Sequence, residues 1–411
     1  MTKGFFKLTI KDVPLDNQTV LVRTGYDVPL DSKGKISDDL RIRASLPTLE
    51  YLIKRGCKIV IIAHLGRPEG HDEKFSLEPV AQRLATLLKR DVRFVDDCIG
   101  DKVYQVVKRA PAGSIIMLEN LRFYKEEEAD NHEFAKKIAK ATGARYFVQD
   151  AFSNVHRSHA SMHAITLYIP SVAGLLVEDE YMTITSAMLT PKRPLVAVMG
   201  GAKVSDKIPL IERFVEVADT IVVGGELANT FLAHKGLPVG VSHIEKDQFE
   251  VIDRMYDAAT KKKNTSVDQF VVLPTDVAVA SSIDSNEPRR VVAVNNVGET
   301  DNMLDIGDQS IEKLVEIMKS AGTVIWNGTL GYAEKPAWAH GSARLALALA
   351  SQPETTSIIG GGDTADFVLK WDGHDGKSFT HVSTGGGASL ELMSGDKLPG
   401  VESLLDAKRS K

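Results

Sequence analysis

The chain has 411 residues, a length that points to two or three domains rather than one. Hydrophobic residues make up 43% and charged residues 26%, a globular balance that excludes disordered, collagen-like and coiled-coil chains. The net charge of −5 lacks the basic surplus of a dedicated nucleic-acid binder, yet a local basic cluster could still take a small anion.

The first residues, MTKGFFKLTIKDVP, hold no apolar core of signal-peptide length. The first Val-rich run, 19–27, reads as a strand that closes on Arg23 and Asp27. A helical period follows over 40–55, with Arg41 and Arg43 near its start. A second strand, 57–66, leads into His64-Leu65-Gly66-Arg67-Pro68. Runs at 92–98 and 114–120 come next, the latter followed by Leu118-Glu119-Asn120-Leu121-Arg122-Phe123. The run at 145–152 carries Asp150 and precedes His156, Arg157 and His159. Ligands of open parallel sheets bind outside the carboxyl ends of the strands. Several Arg and His side chains at one such rim predict a site for a small, multiply charged anion, because Arg grips carboxylate or phosphate bidentately. His156, His159 and His163 would share a face if helical, and three histidines could hold zinc. Arg157 among them weighs against a dication.

A helical segment at 178–189, followed by Pro191 and Pro194, places a domain boundary and a semi-rigid connector within 174–193. Beyond it lie apolar runs at 194–201, 220–226, 269–280, 289–297, 322–331, 355–364 and 379–387, with helices such as 311–320 between them. Alternating strands and helices predict βαβ units with parallel sheets covered on both faces. About a dozen strands exceed one comfortable sheet, so two α/β domains are expected. Lys261, Lys262 and Lys263 read as a solvated loop.

The strand ends of this half are glycines: Gly200-Gly201-Ala202-Lys203, Gly224-Gly225-Glu226, Trp326-Asn327-Gly328-Thr329, Gly360-Gly361-Gly362-Asp363-Thr364 and Gly385-Gly386-Gly387. Glycine lets a ligand approach the backbone, and a strand–glycine–helix turn aims free N–H groups at an anion. Lys203 and Lys207 would lie on one side of a helix starting there. The set predicts a nucleotide phosphate site, although no P-loop is present. Gly360 to Ala365 fits a dinucleotide pattern, but the acidic residue ~20 positions on is absent, which disfavours a dinucleotide-dependent oxidoreductase. Cys57 and Cys98 form no Cys-x-x-Cys pair and suit two buried thiols in a reducing compartment. The longest apolar runs, such as 59–63 and 345–350, are far below the ~20 residues of a membrane span. A cytoplasmic protein is expected.

Taken together and in this order, these motifs, with Glu334 and the stretch 382–391, resemble the phosphoglycerate kinase family over nearly the whole chain. The resemblance implies two Rossmann-like three-layer α/β/α domains with mostly parallel sheets, joined by a helix and hinge. Residues 1–173 would bind phosphoglycerate, 174–193 would connect, 194–391 would bind Mg-nucleotide, and 392–411 would return to the first domain. It also implies reversible phosphoryl transfer from 1,3-bisphosphoglycerate to ADP in glycolysis, by a monomer with Mg²⁺ and without nucleic-acid or membrane partners. The substrate set would be Thr24, Tyr26, Asp27, Arg41, His64, Leu65, Gly66, Arg67, Arg122 and Arg157, with Arg41 catalytic. The nucleotide set would be Gly201, Ala202, Lys203, Lys207, Gly225, Leu304, Asn327, Gly328, Glu334, Gly361, Gly362, Asp363 and Thr364. Lys203 would follow the phosphoryl group, Glu334 would accept ribose hydroxyls, and Asp363 would hold Mg²⁺. The helix starts at Gly362 and Gly386 would join the catalytic set.

The chain departs from the family at several points. Gly25 replaces an aspartate that contacts glycerate, and Asp27 replaces an asparagine. Positions 25 and 27 share a strand face about 6.5 Å apart, so Asp27 cannot simply stand in for the missing carboxylate. Glu226 stands where a third glycine is usual, Asn302-Met303-Leu304-Asp305 lacks a glycine before the leucine, and Thr329-Leu330 replaces Pro-Met. These bear on substrate affinity and the adenine pocket, and they leave a non-catalytic nucleotide-binding relative as the rival reading. The chemistry itself needs no general base, since a carboxylate leaves and an ionised phosphate attacks. Positioning and charge neutralisation suffice, and Arg41, Lys203, Mg²⁺ and the two helix starts suit that task. Ligands on separate domains predict closure before transfer.

Overall fold

The computed structural model describes residues 4–261, 266–285 and 287–407. The chain forms two compact units, Met1–Met182 with Lys397–Lys411, and Thr183–Asp396. The division falls within the helix Leu175–Leu189.

Six strands build the first unit: β1 (Thr19–Thr24), β2 (Lys58–Ile62), β3 (Arg93–Val95), β4 (Ile115–Leu118), β5 (Tyr146–Asp150) and β6 (Ser171–Ala173). They pair in parallel in the order β3-β4-β2-β1-β5-β6. Successive side chains of a strand point to opposite faces. Val20, Val22, Ile59 and Ile61 therefore enter one core with Ile42, Leu49 and Leu84. Leu21, Val60 and Ile62 enter another with Val103, Phe134 and Ile138. Burial on both faces is why these strands read as unbroken apolar runs. The helical period at 40–55 is two helices, Leu40–Ala44 and Leu46–Lys54, with Pro47 opening the second. The tail that belongs with this unit starts at Lys397, later than residue 392, because the helix Gly387–Ser394 packs within the second unit. Lys7 Nζ holds the tail by donating to the carbonyls of Glu402 (2.7 Å) and Leu404 (3.0 Å).

The second unit carries β7 (Leu195–Met199), β8 (Thr220–Val223), β9 (Val271–Val272), β10 (Asp276–Ala280), β11 (Arg290–Ala293), β12 (Asn302–Ile306), β13 (Thr323–Asn327), β14 (Thr356–Gly360) and β15 (His381–Val382). Its main sheet is parallel, ordered β15-β14-β13-β7-β8-β9. The expectation of two sheets needs correction, because β11-β10-β12 form a third, antiparallel sheet. The run 269–280 divides between the edge strand β9 and β10. The ends of β11 are exposed and its middle is half-buried, as suits an antiparallel sheet with one face toward water. Lys261 ends the helix Phe249–Lys261, while Lys262 and Lys263 lie outside the described residues.

Three glycine turns lock together beyond the ends of β7, β8 and β13. The Gly201 N–H donates to the Thr329 carbonyl at 2.9 Å, the Gly225 N–H to Leu330 at 3.0 Å, and the Leu227 N–H to Gly201 at 2.8 Å. A Cβ on Gly200 would lie 2.0 Å from the Thr329 oxygen, and one on Gly328 would lie 2.2 Å from the Gly200 oxygen. Gly328 also has φ +96°, where an L side chain is strained. At Gly362, by contrast, a Cβ meets nothing within 4 Å. Gly328→Ala is expected to lose roughly 3 kcal/mol of stability in denaturant unfolding. Gly362→Ala should change it by less than about 1 kcal/mol.

Candidate active site

In the first unit the ends of β1, β2, β4 and β5 gather the cations. Arg23, fully buried at the end of β1, donates to Ser161 Oγ (2.8 Å), to the Thr24 carbonyl (2.5 Å) and to His64 Nδ1 (2.8 Å). Because Arg can only donate, His64 Nδ1 must accept, and the ring proton sits on Nε2. Burial above all, with Arg23 and Arg122 beside it and against the pull of Asp27, holds His64 down to about 3. His64 is thus a neutral donor, with Nε2 3.8 Å from the Asp27 carboxylate.

Asp27 accepts the Gly66 N–H at 2.8 Å and faces Arg41 at 4.0 Å. Burial pushes its carboxyl up, but His64, the Gly66 N–H and Arg41 outweigh this and hold it well below the usual range. Arg41 also donates to the Asp27 carbonyl. Arg122 donates to the Gly66 carbonyl at 2.7 Å and pairs with Glu128 at 2.8 Å. Its Nε is buried without a hydrogen-bond partner. Arg157 Nε donates to His156 Nε2 at 3.3 Å, so His156 carries its proton on Nδ1, which is likewise buried and unpartnered. The charge of Arg157 acts on Arg122. Arg67 is exposed beside Gly66. Buried donors without acceptors are rare in finished interiors, and here they suit an arriving anion.

Other expected residues lie elsewhere. The Tyr26 hydroxyl meets Ser45 Oγ at 2.7 Å in the core, and Thr24 is fully buried. Leu65 packs in the same core as Tyr26, its backbone held by Asn120 through Oδ1 (3.3 Å) and Nδ2 (2.8 Å). The side chains of Tyr26 and Leu65 thus belong to the core, and the Thr24 hydroxyl is buried without a hydrogen-bond partner. Asp150 bonds Thr48 and the N–H of Leu176, so it serves the start of a helix instead of the rim. His156, His159 and His163 share no helix: 3₁₀ turns cover only Phe152–Asn154 and Ala164–Leu167. His163 bonds Asp130 at 2.7 Å, and among the described residues no three His, Cys, Asp or Glu side chains gather for a metal. The zinc alternative therefore fails. Sequence reading passed over Glu127, which is fully buried and accepts from Ser161 through both oxygens (2.5 and 3.0 Å). It lies 3.9 Å from Arg23 and balances the buried cations. Its position in the run Glu126-Glu127-Glu128 was the available signal.

In the second unit the helix Gly362–Asp372 starts from Gly361 and the helix Gly387–Ser394 from Gly386, neither with a side-chain cap. Their first N–H groups form ready anion sites. Nothing lies within 4 Å of a Cβ on Gly362 or Gly386, so both turns face open space. Asp363 is exposed in the first of these turns. Lys203 and Lys207 are not on one helix. Lys203 is exposed and precedes a 3₁₀ turn, Ser205–Lys207, before the helix Ile208–Val217. Lys207 reaches inward to Asn327, donating to Oδ1 and, at 3.4 Å, to the carbonyl. Burial lowers Lys207 to about 8 against the pull of Asp363 and Asp206. Asn327 Nδ2 is buried without a partner. The Thr364 hydroxyl accepts the Gly328 N–H at 2.7 Å, which commits it to the backbone. Gly201 is half-buried in the glycine lock and Ala202 is exposed beside it. Leu304 is buried with Trp338, and Gly225 is enclosed by Thr329 and Gly201, so neither offers an open side-chain surface. A pocket of about 600 Å³ opens beside Thr329, Glu334, Pro336, Asp363, Phe367 and Trp371.

The family model for phosphoglycerate kinase matches residues 10–396. The chain belongs to the phosphoglycerate kinase family. It is 42% identical over 401 residues to phosphoglycerate kinase of Moorella thermoacetica, covering 97% of this chain and 99% of that protein. It is 42% identical over 402 residues to the cytosolic phosphoglycerate kinase of Triticum aestivum, covering 97% and 98%. The solved phosphoglycerate kinase of Coxiella burnetii has a TM-score of 0.84 at 34% identity, covering 97% of this chain and 98% of that one. The family consists of enzymes of glycolytic phosphoryl transfer that use ADP and ATP, and the mixed α/β architecture of two parallel-sheet units matches its solved members.

A phosphate bound near Lys207 would restore its charge. Nucleoside diphosphate affinity should therefore be flat below pH 8 and fall by up to about tenfold per pH unit above it, with proton uptake on binding. Lys207→Arg should stay flat through pH 9.5, as titration calorimetry in buffers of different ionisation enthalpy will record.

Proposed function

We propose that this chain transfers a phosphoryl group reversibly between 1,3-bisphosphoglycerate and ADP, with the first unit holding the glycerate and the second the nucleotide. The observation that carries this reading is the pair of unlike anion sites. One is a rim of guanidinium groups with a neutral imidazole donor. The other is a backbone cradle at two uncapped helix starts.

The acid part of the substrate suits the rim. Arg41, Arg122 and Arg157, with the Nε2–H of His64, supply donors for a carboxylate and a phosphate, and the buried Nε of Arg122 gains an acceptor. In the second unit the N–H groups at Gly361–Thr364 and Gly386 suit phosphate oxygens. Lys207 and Asn327 Nδ2 would fix one phosphate. Lys203, exposed and unconstrained, is free to follow the group in transit. Neither nucleophile nor leaving group needs a base, so the residues act by orienting the reactants and by neutralising spread charge.

A Mg²⁺ ion fits the donor set at Asp363. Mg²⁺ typically takes one or two protein carboxylates, substrate phosphates and waters, and Asp363 is an exposed carboxylate beside free helix N–H groups. Bound there, the ion would neutralise phosphate charge. Two free buried thiols, Cys57 and Cys98, support a reducing, cytoplasmic setting. Each unit carries its own side of the chemistry, which suits a monomer.

Asp27 need not block substrate binding. The Arg41 guanidinium faces its charge and the Gly66 N–H donates to it, which disfavours the non-catalytic reading. Asp27→Asn keeps an acceptor for Gly66 and removes one negative charge near the substrate, so the KM for 3-phosphoglycerate should fall by about tenfold. In a coupled assay with 3-phosphoglycerate and nucleoside triphosphate, Lys203→Ala should lose about 10²–10³ in kcat. Wild-type turnover no faster than that of this variant would reject the proposal.

A further inference from the structure

Lys203 lies between two anchored stretches of backbone. Upstream, Gly201 is fixed through its N–H to the Thr329 carbonyl at 2.9 Å and through its carbonyl to the Leu227 N–H at 2.8 Å. Downstream, a single side chain from outside the segment holds it. Glu245 Oε2 accepts the Val204 N–H at 2.5 Å and the Ser205 N–H at 3.3 Å, while Oε1 accepts the Ser205 hydroxyl at 2.6 Å. The 3₁₀ turn Ser205–Lys207 receives no side-chain cap from Val204, so a carboxylate 41 residues farther along the chain caps it instead. Glu245 is itself tied down. Its N–H donates to Thr230 Oγ1 at 3.2 Å, and Thr230 is buried in the helix Gly225–His234, which begins at the glycine lock. Lys203, between these two anchors, stays exposed.

We infer that Glu245 is a positioning residue for phosphoryl transfer, which acts by fixing the backbone under Lys203. The inference rests on the reading above that Lys203 accompanies the group in transit. A lysine ammonium is a point charge on a flexible four-carbon stem, so its reach is set by where its Cα sits. The peptide that follows Lys203 carries the Val204 N–H, and the next carries the Ser205 N–H. Both end on one carboxylate, and hydrogen bonds to an ionised acceptor are the strong kind. Loss of that acceptor frees the turn on its downstream side while the glycine lock still holds it upstream. Lys207 is secured differently. Its side chain reaches Asn327 and the helix Ile208–Val217 follows directly, so the phosphate-holding lysine keeps its place when the Glu245 contacts are removed. Glu245 therefore governs the moving cation of the turn and spares the fixed one.

A double-mutant cycle on the whole protein tests this, with turnover on 3-phosphoglycerate and calorimetric ADP affinity read for each variant. Glu245→Ala should lose about 10² in kcat, with the Kd for ADP within about threefold of wild type because the loss falls on the transition state. Glu245→Gln keeps an oxygen for both N–H groups and should retain kcat within about threefold. The decisive variant is Lys203→Ala with Glu245→Ala, which should turn over no more slowly than Lys203→Ala alone, since a residue that acts only through Lys203 has nothing left to position. Should Glu245→Ala fail to fold, Glu245→Asp withdraws the carboxylate by one methylene and enters the same cycle with an expected loss of about tenfold. Losses that multiply in the double variant, a Glu245→Gln as slow as Glu245→Ala, or an ADP affinity that falls in step with kcat would overturn the inference and leave the kinase reading intact. A wild-type protein without turnover on 3-phosphoglycerate would reject both.

Discussion

The Thr329 carbonyl accepts the Gly201 N–H at 2.9 Å, and the rim of the second unit depends on that contact. It brings the turn after β7 against the turn after β13 with no room for a side chain between them. The turn after β8 closes on both through Gly225 and Leu330. Backbone then fills the space that side chains would otherwise occupy. The polar work of the rim falls to N–H groups, to Lys207 and to Asn327, all fixed relative to one rigid lock. Preorganised donors of this kind need no reorganisation when charge arrives.

The first unit solves the same problem with side chains. Arg23 has no exposed surface, and burying a cation is costly unless it is paired and hydrogen-bonded. Ser161, the Thr24 carbonyl, His64 and Glu127 meet that need. The network reaches the rim through one proton: with Nδ1 occupied by Arg23, His64 must present Nε2–H outward. The buried arginine is thus a positioning residue for a donor that stays neutral across the physiological pH range.

The sequence reveals the parallel sheets because strands buried on both faces are apolar throughout, and β1, β2, β7 and β13 stand out for that reason. The run 289–297 marks β11 as a strand too, but its exposed and half-buried residues carry no clean period that would show it pairing antiparallel outside the main sheet. Glycine turns at strand ends are equally visible, but their purposes are not. Gly200, Gly225 and Gly328 answer to neighbouring backbone, whereas Gly362 and Gly386 answer to open space, and both kinds look alike in one dimension. Tyr26 and Leu65 show the converse limit. A motif marks the segment that forms a site, while the path of the chain beyond the strand end decides which of its side chains face the core.

Two acids, Asp27 and Glu226, each lie in a unit proposed to bind an anionic ligand. Adding negative charge there should weaken binding, and in each case a histidine stands close by: His64 near Asp27 and His243 against Glu226. Both carboxylates remain acceptors among donors that phosphate and carboxylate groups would otherwise saturate. An acceptor contributes nothing toward a ligand's charge. What it can recognise is an O–H or N–H on the ligand, and glycerate has such a hydroxyl just as a base has such an edge.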